Sequence, residues 1–248
     1  MITIAPRHLN TLPLSFSGGK HIEPFLEPNF FHIPGQAAAI RFFDASSERD
    51  FFAMQDILKG RETKRWMEDA GVISKQDYRE WAGIHTHKSF LFSVHDARLE
   101  KEERDVIRGF VYLYDEGQEK HRMQRMIQKE LISPDQGRVS ALEISFAARP
   151  FSGGLQLGSG LISSAVRQSC LELRSLLSIQ KPSDLLIFAF VDPENLPSHR
   201  TMEAAAFVRQ GEMKYDRDSY EESIVYTLDW NLLEKKLEER LPHPATTL

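Results

Sequence analysis

"PFSGGLQLGSGLISSAV", residues 150–166, places four glycines (Gly153, Gly154, Gly158 and Gly160) within eight residues, between an alternating strand-like run and a long amphipathic one. Glycine loses more conformational freedom on folding than any other residue, so it is favoured where the chain must turn sharply or approach something closely. A helix that starts here presents unbonded amides and about half a positive charge at its N-terminus, which suits a phosphate-bearing ligand. A tight turn packing helix on strand is the reading that needs no ligand, and the loop alone leaves both open.

Two familiar phosphate loops fit poorly. G-x-x-x-x-G-K-[ST] has its gap matched by Gly153 and Gly158, but Ser159 and Gly160 stand where Lys and Ser/Thr belong. Without that lysine the outer phosphates of a nucleotide lose their charge partner. G-x-G-x-x-G has Ser163 as its third residue in "GSGLIS", and no acidic residue ends the following strand at the required distance.

Outward from the loop, the pattern is that of one mixed α/β domain. "VSALEISFAA" (139–148) alternates, with Leu142, Ile144, Phe146 and Ala148 on one face and Glu143 on the other. "DLLIFAFVD" (184–192) is a continuous apolar run, as in a strand buried on both faces. Upstream, "AAAIRFFD" (37–44), "SFLFSVHDA" (89–97) and "VIRGFVYLYD" (106–115) read as strands, the last two joined by a charged loop. Helices are expected where Ser47/Asp50 and Ser74/Asp77 show capping-box spacing, after the glycine loop, and at "NLPSHRTMEAAA" with Asn195 near its start. "FVRQGEMKYD" and "ESIVYTLDW" complete the strands, and a helix at about 230–240 ends the domain. Residues 1–36 read as an N-terminal extension and 116–137 as a charged helical insertion.

The totals exclude several classes. A net charge of −5 speaks against nucleic acid as the main partner, no apolar run is long enough for a membrane span, and the start "MITIAPRHLNTLPLSFSGG" lacks the uninterrupted apolar core of a signal peptide. These features suggest a cytoplasmic protein. The single cysteine, Cys170, excludes an internal disulfide or a cysteine zinc cluster and reads as buried and inert. His85 and His87 lack a third ligand nearby and read as a surface loop, so no metal is expected. No G-x-S-x-G elbow supports a serine hydrolase.

A third loop pattern, [RQ]-x-x-G-x-[GA], is met by "LQLGSG" at Gly158 and Gly160. With "IRGFVYL", "EISFAA" and "VDPENLPSHRTMEAAAFVRQG", where Asn195, Ser198, Ala206, Phe207 and Gly211 fall on pattern, the chain resembles the GNAT superfamily of acetyl-CoA-dependent N-acyltransferases over residues 37–229. The resemblance implies a single GNAT-like α/β domain over 37–248. Its sheet would be mixed and mostly antiparallel, with six to seven strands flanked by helices, and strands 139–148 and 184–192 would splay around the cofactor.

The same resemblance assigns roles. Backbone amides around Phe146, Ala147 and Ala148 would hold the pantetheine arm and polarise the thioester. Those of Leu155, Gln156, Leu157, Gly158, Ser159 and Gly160 would hold the pyrophosphate, and Asn195 and Ser198 would contact the cofactor from the next helix. Glu143 would take the proton of the attacking amine; an ion-paired surface glutamate is the plainer reading. Two departures from the pattern stand out. Met202 occupies the place of the usual tyrosine acid, leaving Ser198, Tyr215 or Tyr220 to stand in, and Leu155 occupies the place of the usual Arg or Gln. A thiolate leaves tolerably well without an acid, since a thiol pKa is about 8.5.

The implied function is acetyl transfer from acetyl-CoA to a small-molecule or peptide amine, by a monomer or homodimer. Alternatives are a non-catalytic acyl-CoA sensor, a scaffold that has lost the site, and an enzyme using a longer acyl chain. The acceptor would be chosen by residues 58–88 and 214–222. Trp66 and Trp81 lie in the first of these and read as core. Asp216, Asp218, Glu221 and Glu222 lie in the second; they could attract a cationic amine but read first as solvated charge.

Overall fold

The computed structural model describes residues 30–33, 35–67, 71–83, 89–115, 119–136, 140–149, 160–215 and 222–239. In chain order the elements are β1 (Ala38–Phe42), α1 (Glu48–Lys59), α2 (Arg61–Trp66), α3 (Lys75–Gly83), β2 (Ser89–Asp96), α4 (Lys101–Arg104), β3 (Gly109–Tyr114) and α5 (Glu119–Gln128). They continue with β4 (Ser140–Ala148), α6 (Gly160–Leu176), a 3-10 turn at Pro182–Asp184, β5 (Leu185–Val191), α7 (Leu196–Ala204), β6 (Phe207–Lys214), β7 (Glu222–Leu228) and α8 (Trp230–Glu238). The seven strands make one sheet in the order β1-β2-β3-β4-β5-β7-β6. Every neighbouring pair is antiparallel except β4 and β5.

The alternation of β4 and the unbroken run of β5 have one cause. Helices cover both faces of the sheet. On one face Leu142, Ile144, Ile187 and Ala189 join Leu161, Ala165 and Val166 of α6, Met202 of α7 and Leu233 of α8 in the main core. On the other, Leu186 and Phe188 of β5 pack with Met126 of α5, while Ala147 packs with α1 and α3 through Met54, Ile57 and Tyr78. Among the described residues no helix is long and apolar enough to cross a membrane.

Local signals placed the helices well, with one exception. At α3 the capping box is reciprocal: Ser74 Oγ accepts from Asp77 N at 3.0 Å, and Asp77 accepts from Ser74 N at 3.1 Å. At α1 only half of it forms. Ser47 accepts from Asp50 N, but the Asp50 carboxylate turns inward to take two bonds from Arg41, at 2.7 and 2.8 Å. A bidentate guanidinium is the stronger partner, and it ties α1 to the edge strand.

The described end of the expected extension packs tightly. Phe31 exchanges backbone bonds with Ile40, and the buried Gln36 accepts from Arg167 at 2.7 Å. Arg167 is fully buried in α6 and also donates to the Ala204 carbonyl at the end of α7, so one side chain ties the two helices and the strap before β1 together. Strand β3 starts three residues later than its pattern suggests, because Val106 and Ile107 turn out of the short α4 before the ladder begins.

Gly109 opens β3 at its closest approach to β4. A Cβ there would stand 2.5 Å from the Ala147 carbonyl oxygen and 3.3 Å from Ala148 Cα, both backbone and unable to yield cheaply. We expect Gly109→Ala to lower stability by about 1–3 kcal/mol in urea denaturation. An unchanged midpoint would mean that the β3–β4 spacing is not set here.

Two buried ionisable groups pull stability in opposite directions with pH. Burial lowers His95 to about 4 from 6.5 and keeps its ring neutral above that, while its Nδ1, 2.9 Å from the Arg104 carbonyl, carries the proton. The unfolded chain therefore binds the extra proton first, and stability is lost as pH falls from about 6.5 towards 4, by up to about 3 kcal/mol. Burial raises Glu172 to about 6 from 4.5, so its contribution is complete below 4.5 and is lost as pH rises through 6. Glu172→Gln should thus gain about 2 kcal/mol at pH 8 and nothing near pH 4. Chemical denaturation of both proteins across pH 4–8 checks the sign.

Candidate functional site

Strands β4 and β5 pair only from Ser140↔Leu185 to Glu143↔Phe188. Beyond that point β4 runs on to Ala148 bonded to β3, and β5 runs on to Val191 bonded to β7. Their facing edges part and leave a fork in the middle of the sheet. Extended backbone groups along a fork of this kind are free to take an extended ligand as a substitute strand.

The fork lies beside two helix starts. Helix α6 begins at Gly160, shortly after β4, and α7 begins just after β5. Asn195 caps α7, its side-chain oxygen accepting from Ser198 N at 3.2 Å, and is nearly buried. Ser198 is half-buried in the first turn, while Met202 one turn on is completely buried in the main core. His199 holds this helix to the sheet. Its Nε2 faces the Asp192 carbonyl at 3.0 Å and so carries the proton, leaving Nδ1 to accept from the Tyr226 hydroxyl at 3.0 Å. Burial keeps Tyr226 above the ordinary phenol value.

The side chains expected around the fork divide between its faces. Phe146 and Ala148 lean on the main core with α6, and Ala147 points to the opposite face. Leu155, Gln156, Leu157, Gly158 and Ser159 lie outside the described residues, as do His85, His87, Tyr220, Asp216, Asp218, Glu221 and the side chain of Trp81. Gly160, as the first residue of α6, has open space where a Cβ would be. Trp66 is half-buried and carries the Arg65 guanidinium over its ring at 4.4 Å. Cys170 is fully buried, and burial pushes its thiol far up, as expected of an inert residue.

Glu143 stands at the base of the fork, on the last paired position, and it is not solvated. Arg122 of α5 donates to its Oε2 at 2.6 Å, and both side chains are only 6% exposed. The same guanidinium lies 4.2 Å over the ring of Tyr215, at the end of β6. Arg125 donates to the Lys214 and Tyr215 carbonyls and Lys129 to that of Glu212, so α5 is stapled along β6. Of the tyrosines considered as acids, Tyr215 therefore sits with Glu143, on the face opposite Ser198.

Arg122 was not picked out from the sequence, though a signal exists. It lies four residues before Met126, and both are buried, so an arginine occupies the apolar stripe of an otherwise charged helix. A buried cation at such a place needs a buried anion, and Glu143 on the polar face of β4 supplies it. The His199–Tyr226 contact has no comparable mark.

No family model and no curated protein matches the chain by sequence. Solved structures do match in fold. The aminoglycoside acetyltransferase AAC(6')-Ib, solved with paromomycin and acetyl-CoA, is 17% identical with a TM-score of 0.54, over 81% of this chain and 97% of that one. RimJ of Mycobacterium smegmatis with CoA-disulfide is 14% identical with a TM-score of 0.56, over 86% and 91%. The ribosomal-protein-S5-alanine acetyltransferase of Vibrio fischeri is 18% identical with a TM-score of 0.51, over 80% and 94%. The chain has the fold of the GNAT acetyltransferases.

The buried pair at the fork makes a stability prediction. Arg122→Met strands a carboxylate out of water and should cost about 3–5 kcal/mol, whereas the double variant Arg122→Met/Glu143→Leu should recover most of that loss. Urea unfolding of the three proteins measures it. A single variant as stable as the parent would mean that water already reaches Glu143.

Proposed function

We propose that the chain is an N-acetyltransferase, residues 37–248 forming the domain that moves an acetyl group from acetyl-CoA to a primary amine within a ternary complex. The observation that carries this reading is the fork. A single parallel pair opens after Glu143 and Phe188, between two helix starts, in a sheet that is otherwise antiparallel. The neighbours of this fold include acetyltransferases solved with coenzyme A or acetyl-CoA.

Acetyl-CoA supplies the activated acyl group as its thioester. In our reading the facing backbone of β4, around Phe146, Ala147 and Ala148, bonds the pantetheine arm in place of a strand and polarises the carbonyl. The segment Leu155–Gly160 holds the pyrophosphate at the start of α6, and Asn195 and Ser198 approach from α7. The amine nitrogen attacks the carbonyl carbon, the C–N bond forms, the C–S bond breaks, and coenzyme A leaves as its thiolate. Glu143 takes the proton from the amine, directly or through one water, and Arg122 holds its carboxylate in place. Tyr215 or Ser198 returns a proton to the thiolate.

The buried ion pair and the buried Met202 also suit a second reading, a protein that binds acyl-CoA without transferring the group. One set of measurements separates the two. Acetyl-CoA and CoA, but not ATP or NAD, should raise the melting temperature; a ligand at a hundredfold over its dissociation constant adds about 2.7 kcal/mol. An amine screen should then show turnover, and Glu143→Gln should lower kcat about 10²–10⁴-fold while keeping the thermal shift. Binding with no turnover on any amine supports the sensor. No binding by either CoA species removes both readings.

A further inference from the structure

Other parts of the chain cover positions on both edges of the sheet. At β6 the Glu212 carbonyl accepts from Lys129, and those of Lys214 and Tyr215 accept from Arg125. At β1 the backbone of Ala38, Ile40 and Phe42 points outward, because Ala37 and Phe43 bond towards β2 from the alternate positions. Helix α6 serves the first of these: Ala38 N donates to Ser164 Oγ at 3.2 Å, and the Ala38 carbonyl accepts from Gln168 at 2.7 Å. Ile40 exchanges two bonds with Phe31, at 2.7 and 2.9 Å. Phe42 is the next outward position.

We infer that residues 24–29, which lie outside the described part of the chain, extend this edge past Phe42 and fill the cavity beside it, within the same molecule. The Phe31–Ile40 bridge is antiparallel, so Phe30 falls opposite Arg41 and Asn29 opposite Phe42. The described residues keep that register: the Arg41 guanidinium lies 5.9 Å from the Phe30 ring, which also meets His95 edge-on at 4.8 Å. Pro28 suits the next place. Its nitrogen points away from β1, so a proline there costs no ladder bond and offers no donor to a further strand. One pair further on, Glu27 meets Asp44, and like charges end the ladder at Asn29.

The corner where β1 gives way to α1 holds a cavity of about 470 Å³, lined by Phe42 and Phe43 and by Arg41, Ser47, Arg49 and Asp50. Much of its polar wall is already engaged, since Arg41 and Asp50 bond each other and Ser47 caps α1. What suits the space is apolar. Along an extended segment Phe30, Pro28 and Leu26 share the face of Arg41 and Phe43, while Asn29 and Glu27 take the other. All three on the cavity side are apolar. Leu26 is four residues from Phe30, a reach of at most about 14 Å, so the segment needs no linker to enter. That tether favours it over the same segment of a second copy.

The test uses the full chain, in which the native thiol of Cys170 is fully buried and leaves a low background. In Asn29→Cys/Phe42→Cys the two thiols face each other across a hydrogen-bonded pair, with about 5.5 Å between Cα atoms, inside disulfide range. Mild oxidation should close this bond within one chain, seen as a monomer on a non-reducing gel with both introduced thiols lost. Pro28→Cys/Phe42→Cys, with its thiols on opposite faces, should stay reduced. Independently, the thiol of Leu26→Cys should react with a water-soluble disulfide reagent about tenfold or more slowly than that of Glu27→Cys. Leu26→Asp should lower the melting temperature by about 4–8 °C. A disulfide-linked dimer overturns the inference in favour of a second copy. Equal closure of the two double variants, or none in a variant that melts with the parent, overturns the register. Equal labelling at positions 26 and 27, or an unchanged melting temperature for Leu26→Asp, removes the segment from the cavity.

Discussion

After Glu143 and Phe188 the two central strands part, and the rest of the site follows from that divergence. Each strand keeps its outer neighbour, β3 for one and β7 for the other, so the sheet stays intact around the gap. Buried backbone groups must find hydrogen-bonding partners, so an opening of this kind persists only where water or a ligand supplies them. The surrounding packing holds it open. Gly109 lets β3 lie tightly against the far end of β4, and Arg167 locks α6 to the end of α7, the two helices whose starts flank the gap. Neither residue faces the opening itself; each ties together elements that border it.

The Arg122–Glu143 pair makes little sense as a stability device. Burying two charges costs several kcal/mol for each, and a well-packed apolar pair is often as good. Its value lies in fixing a carboxylate of known orientation at the foot of the fork. The pair also binds α5 to the sheet at the foot of the fork, and Arg125 and Lys129 extend that tie along β6. A stretch that reads as a charged helical insertion in the sequence therefore covers the foot of the fork.

What the sequence disclosed followed from how many surfaces each residue had to satisfy. The run Leu185–Val191 is apolar throughout because both of its faces are covered, and that showed at once. The Ser74–Asp77 box was legible because both partners lie within one turn. The Asp50 carboxylate was not, because its better partner, Arg41, arrives from a strand nine residues away. Glu143 was found by resemblance and by its place in the alternation, but its burial was hidden, since the helix that covers it precedes β4 and declares no docking face beyond one misplaced arginine.

The single parallel pair also divides the chain into two assembly units. Strands β1 to β4 follow one another in space as they do in sequence, and β5, β7 and β6 close by their own antiparallel ladders. Within the sheet they are joined by the four-residue ladder between Ser140–Glu143 and Leu185–Phe188, with α6 in the crossover between its strands. The cleft is thus what remains where two antiparallel halves of one sheet meet without fully zipping. A change at this short ladder would therefore act on the joint between the two halves and on the mouth of the fork at once.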